Sequence, residues 1–401
     1  MGWEINRKNI GFYIKIKLIF YLTYNDLPSG IFSSQVIDVV KFFNSELNVK
    51  TKLISFISLR NYLNNRKKIK NQLPESIVLP MFPGVHRWRL NIFLLTLISL
   101  IKKPDVIIGR SVLATQLALI LRNNNRTKKV IYDGRGAITE EWKEYQVVKN
   151  AELLERIFDL EKEAVLSSDF QIAVSRQIVN YWKREFNYEK INHVIIPCTL
   201  NKVYENVIIS LDKIKQSRHL VGLNNEDIAF IYSGSVAGWQ SFNLLYDFIK
   251  PLLLINKKIK LIFLAEKENN INKIEQEFKG KVFCFHVKPN EVPEYLLAAD
   301  YGLLIRENTV TNQVASPVKF AEYLSCGLPV IISEQLGDYS DFVAKNDCGY
   351  IIKDNDQRLS NIKKVSLEDK EKCFNLAKNY FSKDADGNFE SYKKLINFLS
   401  N

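Results

Sequence analysis

The sequence predicts an α/β protein built from two doubly wound, Rossmann-like domains. Three observations lead there: a length of 401 residues, a cadence of short β-branched strands each followed by a helix, and one lapse in that cadence near the middle. Single hydrophobic cores stop growing at roughly 250–300 residues, so a chain of this length divides. Hydrophobic residues at 46% and charged residues at 25% are the globular average, which excludes disordered and fibrous classes. Strands alternating with helices form a parallel sheet covered on both faces.

Ile14 to Leu22 is β-branched and aromatic and reads as a strand. It runs into the turn-forming Asn25-Asp26-Leu27-Pro28-Ser29-Gly30, after which Ile31, Val36, Val39, Val40 and Phe43 recur at helical spacing. The cadence returns at Asp105–Gly109 before a helix from about Ser111, at Lys129–Asp133 before a glycine-rich loop, and at Asp169–Val174 before a helix holding Val179 and Trp182. After His193–Pro197 it lapses into a polar, helix-poor stretch through Asn225, which is where the interdomain linker is expected. Strands resume at 228–232, 260–264, 282–285, 301–305 and 329–332, with helices near 241–254, 270–278, 293–299 and 317–325, and a last helix from Ala385 to Leu399. The expected domains are 1–204, 205–384 and a terminal helix 385–401 that packs back on the first domain. Two such units bind ligands in the crevice between their carboxyl strand ends.

Subtracting 44 acidic from 56 basic side chains leaves +12, which favours a polyanionic partner. Nucleic acid is not expected, because the basic residues are not interleaved with aromatics in a recognition module. Arg66-Lys67-Lys68-Ile69-Lys70 and His86-Arg87-Trp88-Arg89, ahead of the apolar run Leu90–Ile101, suit an anionic membrane surface. A half-buried helix beside a solvated basic loop explains them equally well. That apolar run is too short to span a bilayer, Lys15 and Lys17 interrupt the first one, and Asn6 stands where a myristoylation signal needs Ser or Thr. The five cysteines are scattered and form no Cys-x-x-Cys pair, and the four histidines have no ligand spacing. A cytoplasmic protein, attached at most peripherally to the membrane and without a metal site, is the expectation. Asp354-Asn355-Asp356 reads as a turn, and no Gly-x-Gly-x-x-Gly follows a strand, which speaks against a dehydrogenase.

The chemistry is concentrated in Ser316–Val330. Ser316 is a good N-cap, Pro317 suits the first helical position, and Gly327 with Pro329 ends the helix. Its free amides, with Val318 among the first residues, form a diphosphate-type anion site. Lys319 and Glu322 lie three apart, so one face offers an ammonium to phosphate and a carboxylate to ribose hydroxyls; a surface ion pair is the alternative. Arg306, ending an apolar strand, can grip a pyrophosphate bidentately or pair with Glu307. Gly234 lets backbone approach phosphate or simply turns the chain. Asp133 and Arg135, at a strand end in the first domain, either meet an acceptor hydroxyl and an anionic group or form an internal salt bridge. Gly30 and His86 sit in first-domain loops, where room for substrate and a hydrogen bond to acceptor compete with ordinary turn and surface roles.

These segments, in this order from Asp26 to about Ile332, resemble family 4 glycosyltransferases, especially those of bacterial surface-polysaccharide assembly. The likeness extends to Ala299–Asn308 with Asn312, to Tyr232-Ser233-Gly234-Ser235 with Trp239, to Val194–Cys198, and to Tyr132–Gly136 with Glu140 and Glu141. It implies a GT-B architecture and glycosyl transfer, with retention of configuration, from a nucleoside-diphosphate sugar to a saccharide on a lipid such as a polyprenyl diphosphate. No metal and no cofactor beyond the donor are implied. The donor residues would be Gly234, Ser235, Arg306, Asn312, Ser316, Pro317, Val318, Lys319 and Glu322. The catalytic set would be Asp133, Arg135, Arg306 and Lys319, and the acceptor side Gly30, His86, Asp133 and Arg135. One departure stands out: the first of the family's two glutamates spaced by seven residues is Val314 here. A nucleotide-sugar epimerase or an inactive binding subunit are the alternatives.

Overall fold

The structure, a computed structural model, describes residues 16–234, 240–266, 268–352 and 362–400. Ser235, Trp239 and the Asp354–Asp356 segment lie outside the described residues.

The first lobe holds seven parallel strands: β1 (Ile19–Tyr24), β2 (Thr51–Ser58), β3 (Ile77–Met81), β4 (Val106–Arg110), β5 (Lys129–Gly134), β6 (Phe170–Ala173) and β7 (His193–Ile195). Their order is β3-β2-β1-β4-β5-β6-β7. The second lobe holds six: β8 (Ile228–Ser233), β9 (Ile259–Leu264), β10 (Val282–Phe285), β11 (Tyr301–Leu304), β12 (Val330–Ser333) and β13 (Gly349–Ile352), in the order β10-β9-β8-β11-β12-β13. Each sheet is buried on both faces, which is why its strands read as unbroken apolar runs. Along β1, Phe20 and Leu22 enter one core cluster while Ile19 and Tyr21 enter another on the opposite face. The order reverses between β1 and β4 in one sheet and between β8 and β11 in the other. Those are the two places where a doubly wound sheet opens a crevice at its strand ends.

Three strands had no counterpart in the sequence reading. β3 carries Pro80 and lies at the sheet edge, the position where a proline that cannot donate to a ladder is tolerated. β13 is only four residues long, and β2 lies between polar flanks. The 199–225 stretch is not helix-poor: it contains the helix Leu211–Val221, capped by Ser210 and ended by Gly222 at φ +82°. Arg218 of that helix is buried and bonds Ala298 and Asp227 carbonyls and the Asp300 carboxylate, so its polar sequence hides a packed element.

The last helix, Asp386–Ser400, returns to the first lobe. Tyr392, Leu395, Ile396 and Leu399 enter the core on the β1–β4 face, and Lys129 donates to the Phe398 carbonyl.

The lobes meet through reciprocal helix caps. Asp338 of the second lobe accepts the Arg176 and Gln177 amides at 2.7 and 3.3 Å, closing the start of helix Arg176–Phe186. Glu144 of the first lobe accepts the Val310 and Thr311 amides at 3.0 and 3.3 Å, closing the start of the short helix Val310–Gln313. A carboxylate at a helix start satisfies free amides and meets the positive dipole end. Val314, where an acidic residue is absent, packs into the first lobe's core, and its carbonyl accepts from Ser175 Oγ at 2.7 Å.

Candidate active site

At the β8–β11 reversal, Gly234 follows β8 and Arg306 follows β11, and the helix Val318–Ser325 starts beside them. Tyr323 pins this helix to the sheet: its hydroxyl accepts the Ser233 amide at 2.9 Å and donates to the Leu303 carbonyl at 3.3 Å. Lys319 precedes Tyr323 by four residues and so lies on the same face.

The Lys319 ammonium sits 4.6 Å from the Tyr232 ring centre and donates to Gln240 Oε1 at 3.0 Å. Arg306 Nη2 donates to the same oxygen at 3.2 Å, and Nη1 to Asn312 Oδ1 at 3.3 Å. Arg306 is buried, its Nε has no acceptor, and it pairs with no carboxylate among the described residues. The expected alternative, an ion pair with Glu307, is not formed; the Glu307 amide instead donates to Ser241 Oγ. Burial lowers the Arg306 guanidinium to about 10 and pushes the Lys319 ammonium well below its ordinary value, with Arg306 adding repulsion. Two cations thus stand together with a neutral amide oxygen as their shared acceptor. Gly234 stands at φ +137°, which favours glycine, and a Cβ there would lie 2.1 Å from Lys319 Nζ and displace the end of that side chain.

Glu322 is half-buried one turn on, bonded to the Tyr204 hydroxyl, and its carboxyl is raised to about 7 chiefly by burial, against the pull of Lys319. The helix start differs from the expected one. Pro317 is the N-cap and Val318 the first helical residue. Ser316 is buried; its Oγ accepts the Cys198 amide at 2.9 Å and bonds the Tyr339 hydroxyl at 2.7 Å, so it ties the interlobe crossing rather than capping. The Val318 and Lys319 amides donate to no acceptor among the described residues. Asn312 is also buried: besides holding Arg306 it donates to the Glu307 carbonyl and Tyr145 hydroxyl, which makes it a positioning residue rather than a donor contact.

At the β1–β4 reversal the first lobe has a cavity of about 510 Å³ lined in part by Tyr24, Asp26, His86, Glu141, Trp142 and Lys149. Glu141 is raised to about 7 by burial and by Glu144 and Asp26. Its helix, Ile138–Tyr145, starts on Glu161, which accepts the Ile138 and Thr139 amides at 3.1 and 2.8 Å. Further along the helix Glu144 and Tyr145 reach the second lobe, Tyr145 bonding Asn312 and Thr309. One helix therefore connects the cavity to the cation pair. His86 is exposed on the cavity rim, whereas Gly30 is exposed with open space around its Cα and no positive φ.

Asp133 does not reach the cavity. It is fully buried, bonded to the Tyr21 hydroxyl, and ion-paired to Arg135 at 2.7 Å and to Arg110 at 3.8 Å. Arg135 joins the same network through the internal salt bridge that was the alternative for both residues, while its Nη1 has no hydrogen-bond partner among the described residues. The aspartate sits inside β5, whose covered faces leave no route to substrate. Sequence reading also missed Gln240, Tyr232, Tyr204 and Tyr323. Only the spacing of Tyr323 from Lys319 was there to be read. Among the described residues no group of three His, Cys, Asp or Glu is placed to hold a metal ion.

Two parallel doubly wound lobes, each reversing its strand order at one point, have the fold of the GT-B glycosyltransferases. Residues 246–396 match the C-terminal domain of the glucosyltransferase 3-like family. Solved structures agree over nearly the whole chain. HepE of Anabaena in complex with UDP superposes with a TM-score of 0.70 at 13% identity, over 95% of this chain and 99% of that one. A glycosyltransferase from Rickettsia africae gives 0.68 at 13% identity, over 96% and 99%. A Listeria monocytogenes protein described as a UDP-N-acetylglucosamine 2-epimerase gives 0.51 at 10% identity, over 96% and 94%. At such identities the likeness is one of fold. No curated protein matches the chain.

Proposed function

We propose that this protein transfers a hexose from a nucleoside-diphosphate sugar to a lipid-carried saccharide in the assembly of a surface polysaccharide, retaining configuration and needing no metal. One observation carries the reading: Arg306 and Lys319, two cations without a carboxylate, converge at the β8–β11 crevice on a neutral oxygen that a diphosphate can replace. Breaking the bond between sugar and diphosphate builds negative charge on the leaving oxygen, and fixed cations in a partly dry crevice stabilise it. The open amides of Val318 and Lys319 add two donors, and Glu322 takes the ribose. The saccharide acceptor takes the 510 Å³ cavity, whose carboxylates and Trp142 suit hydroxyls and sugar faces. UDP is the favoured nucleotide, since HepE was crystallised with UDP and with UDP and glucose. Work at the cytoplasmic membrane face follows from such an acceptor.

The test is thermal stabilisation by a panel of nucleotide sugars, followed by product analysis with the stabilising donor. Stabilisation by a UDP-hexose that Arg306→Ala and Lys319→Ala abolish is expected; an unchanged response of both variants overturns the site. Incubation of donor without acceptor tests the epimerase reading, which the weaker Listeria likeness keeps in view.

A further inference from the structure

We infer that Leu90 and the helix Ile92–Lys102 form a face that docks on an anionic phospholipid bilayer. This helix buries Leu95 and Ser99 against the first lobe. Its other side is apolar too: Leu90, Phe93, Leu97, Leu100 and Ile101 are exposed, Phe93 by 73% and Ile101 by 68%. Spacings of three and four place them in one stripe. A helix apolar on every side suits burial on every side, and here one side faces solvent.

Charge identifies what covers it. No charged residue occurs between Arg89 and Lys102, and exposed cations flank the stripe at both ends: Arg87 and Arg89 before it, Lys102 and Lys103 after it. An apolar strip with basic ends complements a continuous anionic sheet of headgroups over hydrocarbon. About 12 residues extend roughly 18 Å, too short to cross a bilayer and suited to lying in its interface.

The arginines also line a cavity. About 360 Å³ of space opens at the Leu90 end of the stripe, bordered by Arg87, Arg89, Arg156 and Glu152. Arg156 is paired with Glu152 at 3.9 Å, while Arg87 and Arg89 have no carboxylate partner among the described residues. These two are the phosphate contacts. His86 and Asn150 line this cavity and the acceptor cavity alike, so a headgroup-level site adjoins the transfer crevice. The basic run Arg66–Lys70 takes no part: Ile69 anchors that helix on the opposite face of the sheet.

This docking deepens the lipid-carried acceptor proposed above, yet it is measured by binding rather than transfer. The experiment is co-sedimentation of the full chain with phosphatidylcholine vesicles, with and without phosphatidylglycerol, at low and high salt. Binding that needs phosphatidylglycerol, weakens with salt and falls roughly fivefold per arginine in Arg87→Glu and Arg89→Glu is expected. Phe93→Glu and Leu97→Glu, both at exposed positions and checked for unchanged melting, should abolish it. UDP binding by calorimetry should be equal in all variants, so loss of docking with intact UDP binding concerns this inference alone. Absence of vesicle binding, equal binding by Phe93→Glu, or a wild-type dimer that Leu97→Glu dissolves without any vesicle binding overturns it.

Discussion

Arg306 and Lys319 donate to one oxygen, Oε1 of Gln240, at 3.2 and 3.0 Å. Like charges are held together there by folding, since Tyr323 fixes one helix to the sheet and Asn312 fixes the guanidinium. Such an arrangement suits an anion. Each charge-assisted bond to a diphosphate contributes about 1.5–3 kcal/mol, so Arg306→Ala and Lys319→Ala should each weaken UDP binding roughly 10- to 100-fold by calorimetry.

Protons should follow the ligand. Burial and Arg306 hold Lys319 well below its ordinary value in the free protein, and a bound diphosphate favours the ammonium and raises it again. UDP binding on the alkaline side of neutrality should therefore take up protons, read as a dependence of calorimetric heat on buffer ionisation enthalpy. Lys319→Met should remove that dependence; its survival in the variant would assign the uptake elsewhere.

Gly234→Ala should behave as a lysine variant in disguise. The added methyl would meet Lys319 Nζ at 2.1 Å, and the backbone stands at φ +137°. Loss of UDP binding at least as large as that of Lys319→Ala is expected, with the chain still folded by circular dichroism.

Asp133→Ala should destabilise the chain rather than silence a folded one. Removing a buried acid leaves Arg135 without its carboxylate and Arg110 with Asp26 alone, at 3.6 Å, and such losses cost about 3–5 kcal/mol. Denaturant unfolding reads the loss, and UDP affinity of the folded fraction should be unchanged.

The reciprocal caps predict a separable effect on the lobes. Glu144→Ala and Asp338→Ala each free two amides, a cap loss of about 1 kcal/mol. Small-angle scattering should show a wider radius of gyration without UDP, and transfer should fall while UDP affinity holds.

The parts legible beforehand are those governed by local pattern. Buried parallel strands announce themselves as apolar runs, and Gly327, at φ +72° after its helix, marks a stop that any reading finds. That Lys319 and Glu322 stand one turn apart on one helix was legible through their spacing. Ser316 and Asn312 misled because their partners, Cys198 and Tyr339 for one and Arg306 and Tyr145 for the other, come from distant segments. Asp133 misled for a related reason: a polar residue at a strand's end points to ligand or to core according to neighbours that only the fold supplies. Gln240 carried no signal, since a glutamine in a loop acquires meaning only when two cations find it.

The helix Asp386–Ser400 makes the second lobe an insert within the first. Anyone grafting a new sugar specificity onto this scaffold must therefore sever the polypeptide at two junctions, near Cys198 and after Phe381, and keep Tyr392, Leu395 and Leu399 with the recipient. A chimera made by a single crossover would bring a foreign closing helix and leave the β1–β4 face of the recipient sheet mismatched. Its failure to fold would say nothing about the transplanted pocket.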